Sequence, residues 1–209
     1  MNLAFPATGI YAITPPFDCF ATLLQQVDKA LQGGIQVLQL RDKQSRLSEP
    51  QARQLLHLCH NYDVPLVIND DLDLALRIGA DGVHLGKEDI SIQVARRLLG
   101  PRAIIGASCY GNLQAAITAF EDHATYVAFG AFFPSPTKPE AVPASKEVLR
   151  QAKQHVRCPI VAIGGITPNN GKALLQAGAD LLAVINGIFG QADPKQAAMA
   201  YRALFEESQ

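Results

Sequence analysis

The polar residues best suited to chemistry in this sequence fall in short groups, each just after an apolar run. Gln39, Leu40, Arg41, Asp42 and Lys43 form the first group. If the run before them is a strand, alternation puts Gln39, Arg41 and Lys43 on one face. An arginine fork and a lysine point charge beside an amide suit a diphosphate; a solvated surface turn is the competing reading. Asn69-Asp70-Asp71 and Gly86-Lys87-Glu88-Asp89 follow two later runs. Carboxylates brought together from neighbouring strands suit Mg2+, which keeps part of its water shell and takes up substrate phosphate oxygens. Acidic residues ahead of a helix more commonly cap it, and both Asp70-Asp71 and Asp89-Ile90-Ser91 read well as caps. Ser108 of Ser108-Cys109-Tyr110 offers a hydroxyl that bonds a heterocycle or caps the helix entered at Gly111-Asn112. With no histidine expected beside it, neither Ser108 nor Cys109 has the base a nucleophile needs. His84, between Val83 and Leu85, reads as a structural histidine inside its strand.

The groups nearer the C-terminus are less charged. Ser135-Pro136-Thr137-Lys138 places hydroxyls and a lysine on a proline-stiffened stretch, residues 131–144, which suits a lid or a substrate loop. Gly164-Gly165-Ile166-Thr167 and Ile185-Asn186-Gly187 close two late apolar runs. Glycine lets backbone N–H groups approach a phosphate closely. The same glycines also suit two tight turns that need positive φ.

The elements that must position these groups alternate regularly. Apolar runs at 9–14, 36–41, 65–70, 82–85, 103–108, 126–130, 159–164 and 181–186 read as eight strands. Several are almost continuously apolar, as parallel strands buried on both faces are. Between them lie stretches of helical period, such as Leu23, Leu24, Val27, Ala30 and Leu31, and a last one at 194–206. Eight strand–helix units in 209 residues predict an α/β fold, a closed (β/α)8 TIM barrel built as one domain over residues 1–209. An open doubly wound sheet is disfavoured, because Pro15-Pro16 stands where a dinucleotide-binding glycine turn would follow the first strand. Gly-Ala-Asp precedes two strands, at 79–81 and 178–180, as a faint internal repeat. Barrel chemistry gathers at the C-terminal ends of the strands, where all the polar groups above fall.

Composition narrows the partners. Net charge is −1 and no block of like charge occurs, so no nucleic acid is expected and anions must be held by local cations. No apolar run reaches the roughly 18 residues of a membrane span, so no membrane is expected. The four cysteines are scattered without metal spacing. With no signal-like start at the N-terminus, they predict a cytoplasmic protein.

Taken in order, residues 39–43, Asn69-Asp70, 80–89, 106–108, 136–138, 162–166 and 183–189 resemble thiamine phosphate synthases, over about residues 9–190. The resemblance implies the same barrel and a transferase acting on two small molecules, with a homodimer left open. It implies that Gln39, Leu40, Arg41, Asp42, Lys43, Asn69 and Lys138 hold a pyrimidine diphosphate and that Asp70 and Asp89 bind Mg2+. It further implies that Ser108 contacts the pyrimidine, and that Ser135, Pro136 and Thr137 hold a thiazole phosphate with the backbone of Gly165, Ile185 and Asn186. Arg41, Lys43, Ser108 and Lys138 would be the catalytic set. The chain departs from the family pattern at Tyr110, where histidine is frequent, at Ser135, where threonine is common, and at Lys87, where glutamine is common. A thiazole tautomerase on the same barrel and a non-catalytic binding protein of the thiamine pathway are the rival readings. The tautomerase needs no diphosphate or metal site.

Overall fold

The computed structural model describes residues 3–134 and 143–206. Its elements are β1 (Gly9–Ile13), α1 (Phe20–Gln32), β2 (Val37–Leu40), α2 (Glu49–His60), β3 (Leu66–Asn69), α3 (Leu72–Ile78), β4 (Gly82–Leu85) and α4 (Ile92–Leu99). They continue as β5 (Ile104–Tyr110), α5 (Leu113–Glu121), β6 (Tyr126–Phe129), α6 (Glu147–His155), β7 (Ile160–Ile163), α7 (Pro168–Leu175), β8 (Leu181–Val184), α8 (Asn186–Phe189) and α9 (Pro194–Glu206). The strands pair in sequence order, all parallel, and β8 returns to β1. This is the expected (β/α)8 barrel, with each apolar run at its expected strand.

Alternation sorts the strand residues into two apolar layers. Tyr11, Val37, Val67, Ile104, Tyr126, Val161 and Leu181 face the barrel interior. Ile10, Leu38, Leu40, Leu66, Ile68, Val127 and Leu182 face the helices, against Leu23, Val27, Leu55 and Leu149. Continuous apolar strands result because both faces are covered. Phe5 reaches the interior layer from the N-terminal segment and stacks on Tyr126, with ring centroids 4.3 Å apart.

At the N-terminal ends of the strands one device recurs four times. Ile10, Leu66, Ile105 and Ile160, on β1, β3, β5 and β7, each donate their N–H to the side chain of the residue just before the next strand. The acceptors are Gln36 Oε1 at 2.5 Å, Asp81 Oδ2 at 2.8 Å, Thr125 Oγ1 at 2.9 Å and Asp180 Oδ2 at 2.8 Å. Gln36, Asp81, Thr125 and Asp180 return their own N–H to the carbonyl of the same strand residue, at 2.7–3.1 Å. Two positions earlier the chain turns through a residue with positive φ: Gly34, Gly79, His123 or Gly178. The Gly-Ala-Asp repeat is thus two instances of a fourfold pattern.

Candidate active site

A cavity of about 890 Å³ opens at the C-terminal ends of the strands, where the carbonyl ends of a parallel barrel leave room for loops. Arg41 and Lys43 line it beyond β2, Asn69 and Asp70 at β3, and Asp89 on the loop after β4. The helix-cap alternative for the two acids is answered by their neighbours. Asp71 accepts the N–H of Leu74 at 2.8 Å and caps α3. Ser91 accepts that of Val94 at 3.3 Å and caps α4. Asp70 and Asp89 are thereby left to the cavity. Asp70 stands at φ 62, an uncommon conformation for a non-glycine residue.

Asp70 pairs with Lys43 and shares a hydrogen bond with Asp89. Burial raises the Asp70 carboxyl, but the Lys43 ammonium and the bond with Asp89 outweigh it and hold the group below the usual carboxylate range. Asp89 moves the other way. Burial and the neighbouring Asp70 raise it, against a 2.6 Å bond from the Gly86 N–H. Two carboxylates held this close repel one another unless a proton or a cation lies between them. Among the described residues no group of three or more His, Cys, Asp or Glu side chains gathers for a metal. The Asp70–Asp89 pair is nevertheless a hard-oxygen set that suits Mg2+, an ion that keeps several waters and uses one or two protein carboxylates.

Beneath the charged rim lies a neutral polar floor. Gln39 Nε2 donates to Tyr11 Oη at 2.9 Å, and Tyr11 Oη lies 2.6 Å from Tyr126 Oη. Tyr126 Oη meets His84 Nδ1 at 2.8 Å, and His84 Nε2 meets Ser108 Oγ at 2.8 Å. Gly106 makes this possible: a Cβ there would lie 2.3 Å from the Tyr126 hydroxyl. Burial pushes the His84 imidazole down to about 4, against the charge of Asp70, and burial raises the phenol of Tyr126.

Two expectations need correction here. A histidine does reach Ser108, although the sequence suggested none would. The partner comes from β4, one strand over, because His84 and Gly106 are register partners across β4 and β5. Gln39 sits lower than its neighbours Arg41 and Lys43, only 3% exposed, so it belongs to the floor and not to the charged rim. Tyr11, Tyr126 and His84 are the site residues that sequence reasoning missed. Their signal was a polar-tipped ring inside an otherwise apolar strand.

Other expected residues lie apart from the cavity lining. Leu40 is in the layer between barrel and helices, since it alternates with Gln39 and Arg41. Asp42 accepts the Leu47 N–H at 2.8 Å and ties the loop after β2. Gly164 lines the cavity, but Gly165 does not. Both have positive φ, and a Cβ on either would strike residues 131–134 within 2.8 Å. The pair makes a tight turn and docks the loop after β6. Ile185 lines the cavity, while Asn186 begins α8 and accepts the Gln191 side chain at 3.2 Å. Ser135, Pro136, Thr137 and Lys138 lie outside the described residues. Ser108 does not cap α5, since Asn112 accepts the Ala115 N–H at 3.1 Å.

Residues 10–188 match the family model described as thiamine monophosphate synthase. This chain belongs to that family. It is 51% identical to the thiamine-phosphate synthase of Nitrosospira multiformis, over 95% of this chain and 86% of that one. It is 52% identical to that of Nitrosococcus oceani, over 94% of this chain and 92% of that one. The solved structure of thiamine phosphate pyrophosphorylase from Pyrococcus furiosus superposes with a TM-score of 0.82 at 34% identity, covering 96% of each chain. Tyr110 and Lys87, two departures from the synthase pattern, both stand on the cavity wall, and Tyr110 is half exposed at φ 54. No helix among the described residues is long and apolar enough to cross a membrane.

Proposed function

We propose that this member of the thiamine monophosphate synthase family is a transferase that condenses 4-amino-2-methyl-5-hydroxymethylpyrimidine diphosphate with a (carboxy)thiazole phosphate. The products are thiamine phosphate and pyrophosphate, with CO2 released as well when the thiazole carries the carboxyl group. The observation that carries this reading is the meeting, in one cavity, of Arg41, Lys43, Asp70 and Asp89 above a neutral polar floor. A tautomerase has no use for paired cations and paired carboxylates. The catalytic unit is taken as a single domain over residues 1–209, in the cytoplasm, in keeping with four free thiols.

In this reaction the bond from the pyrimidine methylene to the diphosphate breaks first, and its electron pair leaves on pyrophosphate. The thiazole nitrogen lone pair then forms the new C–N bond. Arg41, Lys43, Asn69 and Lys138 orient the diphosphate and meet the charge that gathers on it, which lowers the barrier most where water is excluded. Asp70 and Asp89 would hold Mg2+, which supplies Lewis-acid stabilisation of the leaving group when bound. Ser108 orients the pyrimidine ring. Ser135, Pro136 and Thr137, with the backbone of Gly165, Ile185 and Asn186, hold the thiazole phosphate. No protein nucleophile is required, and holding two rings in line supplies much of the rate.

The test is incubation with both substrates, with and without Mg2+, following pyrophosphate and thiamine phosphate. Mg-dependent product is expected. Isomerisation of the thiazole phosphate alone points to the tautomerase, and binding without turnover to a binding protein. Lys138→Ala should raise KM for the pyrimidine diphosphate about tenfold, the worth of one charge-assisted hydrogen bond. KM for the thiazole phosphate should hold, and equal losses would remove Lys138 from the diphosphate site.

A further inference from the structure

We infer that the buried series Gln39, Tyr11, Tyr126, His84 and Ser108 is a proton-ordered relay that presents Ser108 to the cavity as a hydrogen-bond donor, for an acceptor nitrogen of a bound heterocycle. Tyr11, Tyr126 and His84 are then positioning residues. The inference deepens the proposed function, since it rests on Ser108 facing the pyrimidine.

Direction follows from counting protons along the series. Gln39 turns its Nε2 donor to Tyr11 at 2.9 Å, so the amide takes no proton from that phenol. Each phenol has one proton to place. Tyr11 already accepts from Gln39, so the count assigns its own proton to Tyr126, 2.6 Å away. That of Tyr126 goes to His84 Nδ1 at 2.8 Å. Nδ1 therefore carries no proton, and the neutral ring carries its single proton on Nε2. Nε2 donates to Ser108 Oγ at 2.8 Å. The serine oxygen already accepts inside the wall, so its own proton is directed into the cavity that Ser108 lines.

The surroundings keep this order from scrambling. Tyr11 and Tyr126 are at most 1% exposed, so the two phenols stand apart from bulk water. Phe5 stacks on Tyr126 from below, and Gly106 leaves only the space the ring fills. A tautomer set by its other hydrogen bond is the usual way a histidine is oriented. Such a site takes a ring nitrogen lone pair and rejects an analogue with C–H at that position, because a buried donor left unmatched is costly. The reversed order would present only lone pairs at Ser108 and would select an amino group instead.

The test is the nitrogen-15 spectrum of histidine-labelled protein at neutral pH without substrate, with His84 assigned by its loss in His84→Gln. The expected result is a proton on Nε2 and a hydrogen-bonded, unprotonated Nδ1; a proton on Nδ1 overturns the inference. Tyr126→Phe should shift His84 towards a mixture of tautomers. It should also raise KM for the pyrimidine diphosphate about tenfold, one hydrogen bond's worth, with KM for the thiazole phosphate unchanged. An unmoved tautomer with unmoved KM also overturns the inference. If Tyr126→Phe does not fold, the wild-type spectrum decides alone. The spectrum needs no turnover, so the expected tautomer in a protein that forms no thiamine phosphate supports the ordering and refutes the synthase reading.

Discussion

The two ends of this barrel are built on different rules. At the N-terminal end, Gln36, Asp81, Thr125 and Asp180 repeat one hydrogen-bonded device around the closed sheet. At the C-terminal end the strands finish in residues of mixed type, from Asp70 after β3 to Gly164 after β7. There Asp70 and Asp89 face each other beside Lys43, and Ser108 leans on His84. Aspartates at the two ends make the contrast plain. Asp81 is fully buried, and its oxygens accept from Leu3 N, Leu66 N and His60 Nε2 at 2.8–2.9 Å. Asp70 and Asp89 crowd one another, and much of their environment is cavity. The bottom spends its polar groups on closing the sheet, while the mouth keeps charge available for a ligand.

Substitutions at each end test whether that division is real. Asp81→Ala should cost the most, about 3 kcal/mol of stability, because it leaves buried N–H groups without acceptors. Denaturant unfolding measures this, and activity per folded molecule should be unchanged. A fall in KM or kcat would show that the two ends are coupled.

The next effect belongs to the floor. His84 is held at about 4 instead of 6.5, so the folded protein resists its protonation. Its contribution is complete above about pH 6.5 and is lost as pH falls through about 4, a change of about 3 kcal/mol. His84→Gln should flatten that part of the stability profile. An unchanged profile would mean that the ring protonates freely in the folded state.

Asp89→Ala should lower kcat about 100-fold, or about 2.7 kcal/mol, with denaturation midpoints nearly unmoved. An unaffected rate at limiting Mg2+ would remove Asp89 from the metal site. The smallest effect is expected at Asp180. It repeats the part of Asp81 but is partly exposed and paired to Lys153 at 2.6 Å. Asp180→Ala should cost about 1 kcal/mol, and a loss equal to that of Asp81→Ala would make burial irrelevant to the device.

The barrel was legible in the sequence because its signal is local. Apolar runs such as 36–41 and 181–186 must be buried on both faces, and parallel strands need crossovers that the amphipathic stretches supply. Gly-Ala-Asp disclosed two of the four bottom devices; the other two use Gln36 and Thr125, which share a bond geometry and not a residue type. The cations and acids of the mouth were legible as groups following strands. Whether Asp70 and Asp89 cap helices was not, since capping depends on which of two adjacent side chains turns toward the N–H groups.

By itself, then, the sequence determined the barrel, the family and the roster of charges at the mouth, through periodicity and residue type. Tertiary structure alone decided how those residues divide. It put Gln39 in the floor and Leu40 behind it, assigned capping to Asp71 and Ser91, and brought His84 to Ser108. The reason is that register between neighbouring strands, which no single segment encodes, decides which interior side chains meet. Residues 24 apart in the chain stand 2.8 Å apart only because β4 and β5 pair with His84 opposite Gly106.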